Sequence, residues 1–99
     1  MEIIGIEWDN ANRAKCQKHG VSVAQIEAFI TASPRIAPDL KHSGVEKRLI
    51  ATGMNSEGRS MFIVFTLRDY SDGCWLRPIS ARFMLKKEAN AYETQSTDL

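Results

Sequence analysis

Arg48, Arg68, Arg77 and Arg82 are the side chains of this sequence best suited to phosphate chemistry. A guanidinium stays protonated at any working pH and binds phosphate through paired, charge-assisted hydrogen bonds. Two or three converging on one point suit a phosphodiester transition state, which carries extra negative charge. The other use of Arg48 and Arg68 is structural, as ion pairs with Glu46 and Asp69. His42 precedes Glu46 by four residues. A histidine near neutral pKa beside a carboxylate is a usable general acid or base. His19 ends a predicted helix, where a protonated imidazole also suits the helix dipole. The two histidines lack a carboxylate cluster, so no metal-ligating set is expected. The sequence contains no GxGxxG, P-loop, GxSxG or HExxH pattern.

The charge distribution says more than its total. The formal net charge is +1, which by itself does not mark a nucleic-acid binder. Yet the run Arg77 to Lys87 carries Arg77, Arg82, Lys86 and Lys87 with no acid between them, and Ala11 to His19 carries Arg13, Lys15, Lys18 and His19 likewise. A near-neutral total can therefore hide a basic face, with solvated helix surfaces as the plainer reading. Apolar residues make up 43% and charged residues 25% of the chain, which fits a folded domain and excludes disorder or a fibre. At 99 residues the expectation is one domain over 1–93 with a frayed tail over 94–99. No apolar run approaches the roughly 18 residues of a membrane span. The amino terminus lacks a basic stretch followed by an apolar one, so a cytoplasmic location is expected. Cys16 and Cys74 form no CxxC or Cys/His pattern and are expected as reduced thiols.

The elements that must hold these residues follow from periodicity and punctuation. Ile3 to Trp8 reads as a short strand. Asp9 or Asn10 caps a helix over about 11–19, which Gly20 ends. Ser22 and Gln25 form a capping box for a second helix. Val23, Ile26, Phe29 and Ile30 give that helix its buried stripe, and Pro34 stops it. Residues 35–44 read as irregular. Three strands follow, over 45–54, 60–68 and 74–80, with turns at 55–58 and Asp72-Gly73. The unbroken apolar run Met61 to Phe65 marks the second of these as central. A last helix is expected over 81–93. The expected class is α+β, with an antiparallel meander, two N-terminal helices and one C-terminal helix.

Strand alternation then sorts the arginines. Arg48 shares a face with Ile50 and Thr52, Arg68 with Phe62, Val64 and Thr66, and Arg77 with Trp75 and Ile79. In a meander Arg48 and Arg68 fall toward the same end of the sheet. Arg77 and Arg82 join them only if the third strand is offset. Pro78 cannot donate to a ladder, and a bulge there would permit that offset.

Several short stretches become specific together. These are Trp8-Asp9, Lys18-His19-Gly20-Val21-Ser22, His42 with Glu46-Lys47-Arg48 and Gly53, Arg77-Pro78-Ile79-Ser80-Ala81-Arg82, then Glu88 and Tyr92-Glu93. In this order the sequence resembles the BrnT family of toxin proteins over about Ile6 to Glu93. The resemblance implies a RelE-like α+β fold and an endoribonuclease that stops translation. It implies a cognate, BrnA-like antitoxin that blocks the toxin and binds operator DNA. It implies cleavage without a metal or other cofactor, by attack of the 2′-hydroxyl on the adjacent phosphate. On that pattern Arg48, Arg68, Arg77 and Arg82 surround the phosphate, and His42 and Glu46 transfer protons. Lys18, His19, Lys86 and Lys87 are the expected RNA contacts.

The sequence departs from the family at Pro78, where relatives usually carry an aliphatic residue. Ala89-Asn90-Ala91 stands where relatives are arginine-rich, and the stretch from Arg68 to Gly73 is slightly long. These departures sustain an alternative: a catalytically weak or inactive module that only docks an antitoxin-like DNA-binding partner. A DNA-binding regulator in its own right is weaker, because no helix-turn-helix with a basic recognition helix appears.

Overall fold

In a computed structural model, which describes residues 2–41, 44, 46–88 and 90, the chain runs β1 (Ile3–Ile6), α1 (Asn10–Gln17), α2 (Val23–Thr31), β2 (Arg35–Pro38), β3 (Leu49–Met54), β4 (Ser60–Tyr70) and β5 (Gly73–Phe83). Residues 86–88 then form a helical turn. Both helix starts carry reciprocal caps. Asp9 accepts from the Asn12 amide at 2.9 Å while Asn12 accepts from the Asp9 amide at 2.7 Å. Ser22 and Gln25 do the same for α2 at 3.1 and 2.9 Å. Each box satisfies two first-turn donors that the helix itself cannot. Gly20 sits at φ 88° just past α1, a conformation that glycine takes without a Cβ penalty.

The five strands form one sheet in the order β1-β5-β4-β3-β2, with β4 at its centre. The sheet is mixed, not an antiparallel meander throughout: β1 lies parallel to β5, and the other pairs are antiparallel. The α1–α2 crossover carries the chain from β1 to the far edge, which is what a parallel pairing of non-sequential strands requires. Residues 35–38, expected to be irregular, pair with β3 as the edge strand β2. Edge position is what tolerates Pro38 there.

The last helix also needs correction. Residues 81–83 are strand, because Ala81, Arg82 and Phe83 pair with Ile63, Phe62 and Met61. The Ser80-Ala81 pattern looked like a cap before a helix, but the long partner strand β4 supplies a ladder that outweighs local propensity. The expected tail 94–99 and the helix beyond residue 90 lie outside the described residues.

The helices bury Cys16, Val21, Ile26 and Phe29 against Ala51, Met61, Ile63, Phe65, Leu76 and Ala81 from one face of the sheet. Burial of each large side chain in such a cluster contributes roughly 1.5–3 kcal/mol. The sheet residues between them, Thr52, Phe62, Val64, Thr66 and Arg68, point to the opposite face. That second face carries the charged side chains.

Candidate functional site

A bulge in β5 decides which arginines share the second face. Val64 faces Ser80 and Phe65 faces Pro78, so Ile79 is an extra residue without a partner on β4. Side chains alternate with period two, and one inserted residue shifts the phase. Arg77, opposite Thr66, and Arg82, opposite Phe62, therefore project from the same side. Two contacts hold the bulge. Asn12 Nδ2 donates to the Pro78 carbonyl at 2.9 Å and to the Glu7 carbonyl at 2.9 Å, linking α1 to β5 just beyond the end of β1. Pro78 itself is fully buried, and its missing N–H costs nothing where the ladder is already interrupted.

Above this junction lies a cavity of about 250 Å³. Its walls include Lys15 from α1, Glu46 and Arg48 from the segment before β3, Thr66 and Arg68 from β4, and Arg77 from β5. Arg48, Arg68 and Arg77 are thus brought together. Strand alternation places the first two at one end of the sheet, and Arg77 joins them by pairing opposite Thr66, without the offset expected for it. Arg82 does not join them: on the ladder it lies four residues along β4 from Thr66, or roughly 13 Å.

The arginines meet carboxylates. Arg68 reaches Glu46 with Nε–Oε2 3.2 Å and Nη2–Oε1 3.4 Å, a fork geometry. Glu7 stands between Arg68 and Arg77, at 3.7 and 3.6 Å, and accepts the Tyr70 hydroxyl at 2.6 Å. Arg77 also contacts Asp9 at 2.8 Å. The bonds that Arg68 donates, first to Glu46 and then to Tyr70, hold it protonated even more firmly than an ordinary guanidinium. The Asn12 amide, then Arg77, holds the Asp9 carboxyl below its usual range. Arg82 belongs to a second cluster. It clasps Glu88 through two 2.7 Å bonds and lies 4.5 Å over the Phe62 ring. The Arg82 bonds, then the Leu85 amide, hold the Glu88 carboxyl down at about 2.

Arg68 does make a structural ion pair, but with Glu46, the carboxylate that the sequence reading set beside Arg48, and not with Asp69. Lys18 and His19 sit exposed just after α1, and Lys86 and Lys87 are exposed on the helical turn after β5. His42 lies outside the described residues. Both cysteines are free, and burial pushes the Cys16 thiol up to about 11, which makes it a poor nucleophile at neutral pH. Among the described residues, no group of three or more His, Cys, Asp and Glu side chains is placed to hold a metal ion. Among them too, no helix is long and apolar enough to cross a membrane.

Sequence reasoning missed Lys15, Glu7, Asp9, Tyr70 and Thr66. Lys15 had a signal, since it follows Ala11 at helical spacing within the basic run. Thr66 also had one, as a hydroxyl ending the apolar run of the central strand on the face of Arg68. Glu7 had none, because its reach to Arg68 and Arg77 depends on the parallel pairing of β1 with β5.

Residues 8–88 match the family model of the ribonuclease toxin BrnT of type II toxin–antitoxin systems. The match spans most of the chain and includes every strand and helix named above except β1, together with the whole cavity wall. No curated protein matches the chain. The chain belongs to the BrnT family of ribonuclease toxins.

Proposed function

We propose that the chain is a metal-independent endoribonuclease with a RelE-like fold, which arrests translation and is neutralised by a cognate BrnA-like antitoxin that binds operator DNA. One observation carries this reading: Arg48, Arg68 and Arg77 line one cavity with Glu46, in a chain of the BrnT family. Such a site offers fixed positive charge where a phosphodiester gains negative charge, and a carboxylate beside it to take a proton.

In the proposed reaction, an RNA phosphate enters the cavity and takes over guanidinium bonds now made to Glu7, Asp9 and Glu46. Glu46 accepts the proton of the 2′-hydroxyl. The 2′-oxygen attacks phosphorus, and the bond to the 5′-oxygen breaks. His42 supplies the proton to that leaving oxygen. The products are a 2′,3′-cyclic phosphate and a 5′-hydroxyl, so atoms and charge balance without a metal. Arg82, on the same face, holds a neighbouring phosphate once released by Glu88. Lys18, His19, Lys86 and Lys87 contact the backbone farther out, as screened surface charges do. Expression of the wild-type chain should arrest growth, and Arg82→Ala or co-expression of the antitoxin should relieve the arrest. Arrest that persists at full strength in Arg48→Ala, Arg77→Ala and Arg82→Ala alike would overturn this reading.

A second reading has an observation of its own. Arg68, Arg77 and Arg82 each already contact a carboxylate. On this reading they are structural, and the chain only docks its antitoxin. Protein that binds the antitoxin but leaves RNA intact and growth normal would favour it.

A further inference from the structure

The cavity contains a group that the proposed chemistry does not yet use. Thr66 is 1% exposed, yet among the described residues its hydroxyl has no hydrogen-bond partner. It lines the cavity shared by Lys15, Arg48, Arg68 and Arg77. On the ladder it stands directly opposite Arg77, and Arg68 follows it on the same face of β4. A buried hydroxyl without a partner is destabilising, and folded proteins keep few such groups. Valine has nearly the same shape, favours strands equally and would carry no such penalty. A threonine that serves packing alone has no use for this hydroxyl.

We propose that Thr66 is a phosphate-binding residue of this cavity, its Oγ1–H donating to a non-bridging oxygen of a phosphoryl group held by the surrounding cations. The proposal deepens the ribonuclease reading, since the ligand would be the phosphodiester of RNA. The chemistry fits in three respects. A hydroxyl can donate one bond to a phosphate oxygen, and it carries no charge to be neutralised by Glu46 or Glu7. It sits on the central strand, where neighbours on both sides fix its position, so little ordering is needed when the ligand arrives. It is also shielded from water, where a bond to an anion is stronger than at an exposed site. Lys15, from α1, lines the same cavity and provides a point charge there.

The test uses the full chain, with inorganic pyrophosphate as probe, and compares wild type, Thr66→Val, Thr66→Ser and Thr66→Ala. The expected result is that Thr66→Val binds pyrophosphate roughly tenfold more weakly or worse, as the loss of a hydrogen bond to a charged group implies. Its melting temperature should match or exceed that of wild type. Thr66→Ser should bind like wild type. If Thr66→Val does not fold, Thr66→Ala takes its place, with the same expected loss. Wild-type binding by the valine or alanine variant, or no pyrophosphate binding by wild type, would overturn the proposal. RNA cleavage separates the two readings. Thr66-dependent pyrophosphate binding with RNA left intact keeps the anion site and removes the nuclease. Arginine-dependent cleavage that is undiminished in Thr66→Val keeps the nuclease and removes this role for Thr66.

Discussion

Arg77 and Arg82 lie on the same face of β5 because Ile79 is inserted between them. In an unbroken strand an odd and an even position point to opposite faces. Arg82 would then enter the face that buries Ala81, Met61 and Ile63. The bulge thus does two things at once: it keeps a charge out of the core, and it gives one sheet face two arginines along its length.

Deleting Ile79 should therefore leave both arginines on this face, because they are then four positions apart on a regular strand. Inserting one alanine beside Ile79, with the bulge retained, should instead shift the phase by one and force one arginine into the apolar side, where an unpaired charge is destabilising by about 3 kcal/mol or more. Chemical denaturation reads this directly. Wild-type stability after the insertion would mean that the phase of β5 does not set the facing.

Asn12 is the clasp on that bulge. Its amide bridges the Glu7 and Pro78 carbonyls, and its oxygen takes the Asp9 amide. Asn12→Ala leaves these buried groups unpaired and should cost about 2–4 kcal/mol. For a chain of this size the melting temperature should fall by roughly 10 °C or more. A fall of only a few degrees would show that the clasp is dispensable.

Glu88 makes the Arg82 contact sensitive to acid. Its carboxyl titrates at about 2 in the folded chain against an ordinary 4.5. A depressed carboxylate stabilises the fold fully above its ordinary value and loses that contribution as pH falls toward the folded value. The Arg82–Glu88 pair should thus stabilise the fold fully above about 4.5, lose that contribution between there and about 2, and itself open only as the pH passes about 2. An NMR titration of the Glu88 carboxyl and the Leu85 amide checks this. A midpoint near 4.5 would contradict it.

Glu46 separates chemistry from scaffolding. As the proposed base, Glu46→Gln should lower the cleavage rate by roughly a hundredfold or more with RNA binding retained. As a structural partner of Arg68 alone, the same change should leave the rate intact and only shift stability slightly, since the pair is about half exposed. Single-turnover cleavage by the purified variant decides between them.

The local signals in the sequence were strong where chemistry is local. The Ser22–Gln25 box, the stop at Pro34 and the central place of Met61 to Phe65 need only neighbouring residues to be read. The meeting of Arg48 and Arg68 was also legible, from alternation along strands joined by tight turns, whereas Arg77 was expected to join them only through an offset strand. Other features depend on distant pairing. β2 is a strand because β3 offers it an edge, and residues 81–83 are strand because β4 extends far enough to pair with them. Glu7 reaches Arg77 only through the parallel β1–β5 pair. Pro78 signalled a bulge, but which arginines that bulge would unite depended on its register.

The most direct measurement is the chemistry of the RNA ends left by the purified chain in EDTA, for wild type and for Arg77→Ala. Wild type should leave 2′,3′-cyclic phosphate ends, and Arg77→Ala should cut at a rate lower by about a hundredfold or more, as loss of a charge aimed at the transition state implies. Cleavage that requires a divalent ion, or an Arg77→Ala variant that cuts at the wild-type rate, would contradict the proposed mechanism.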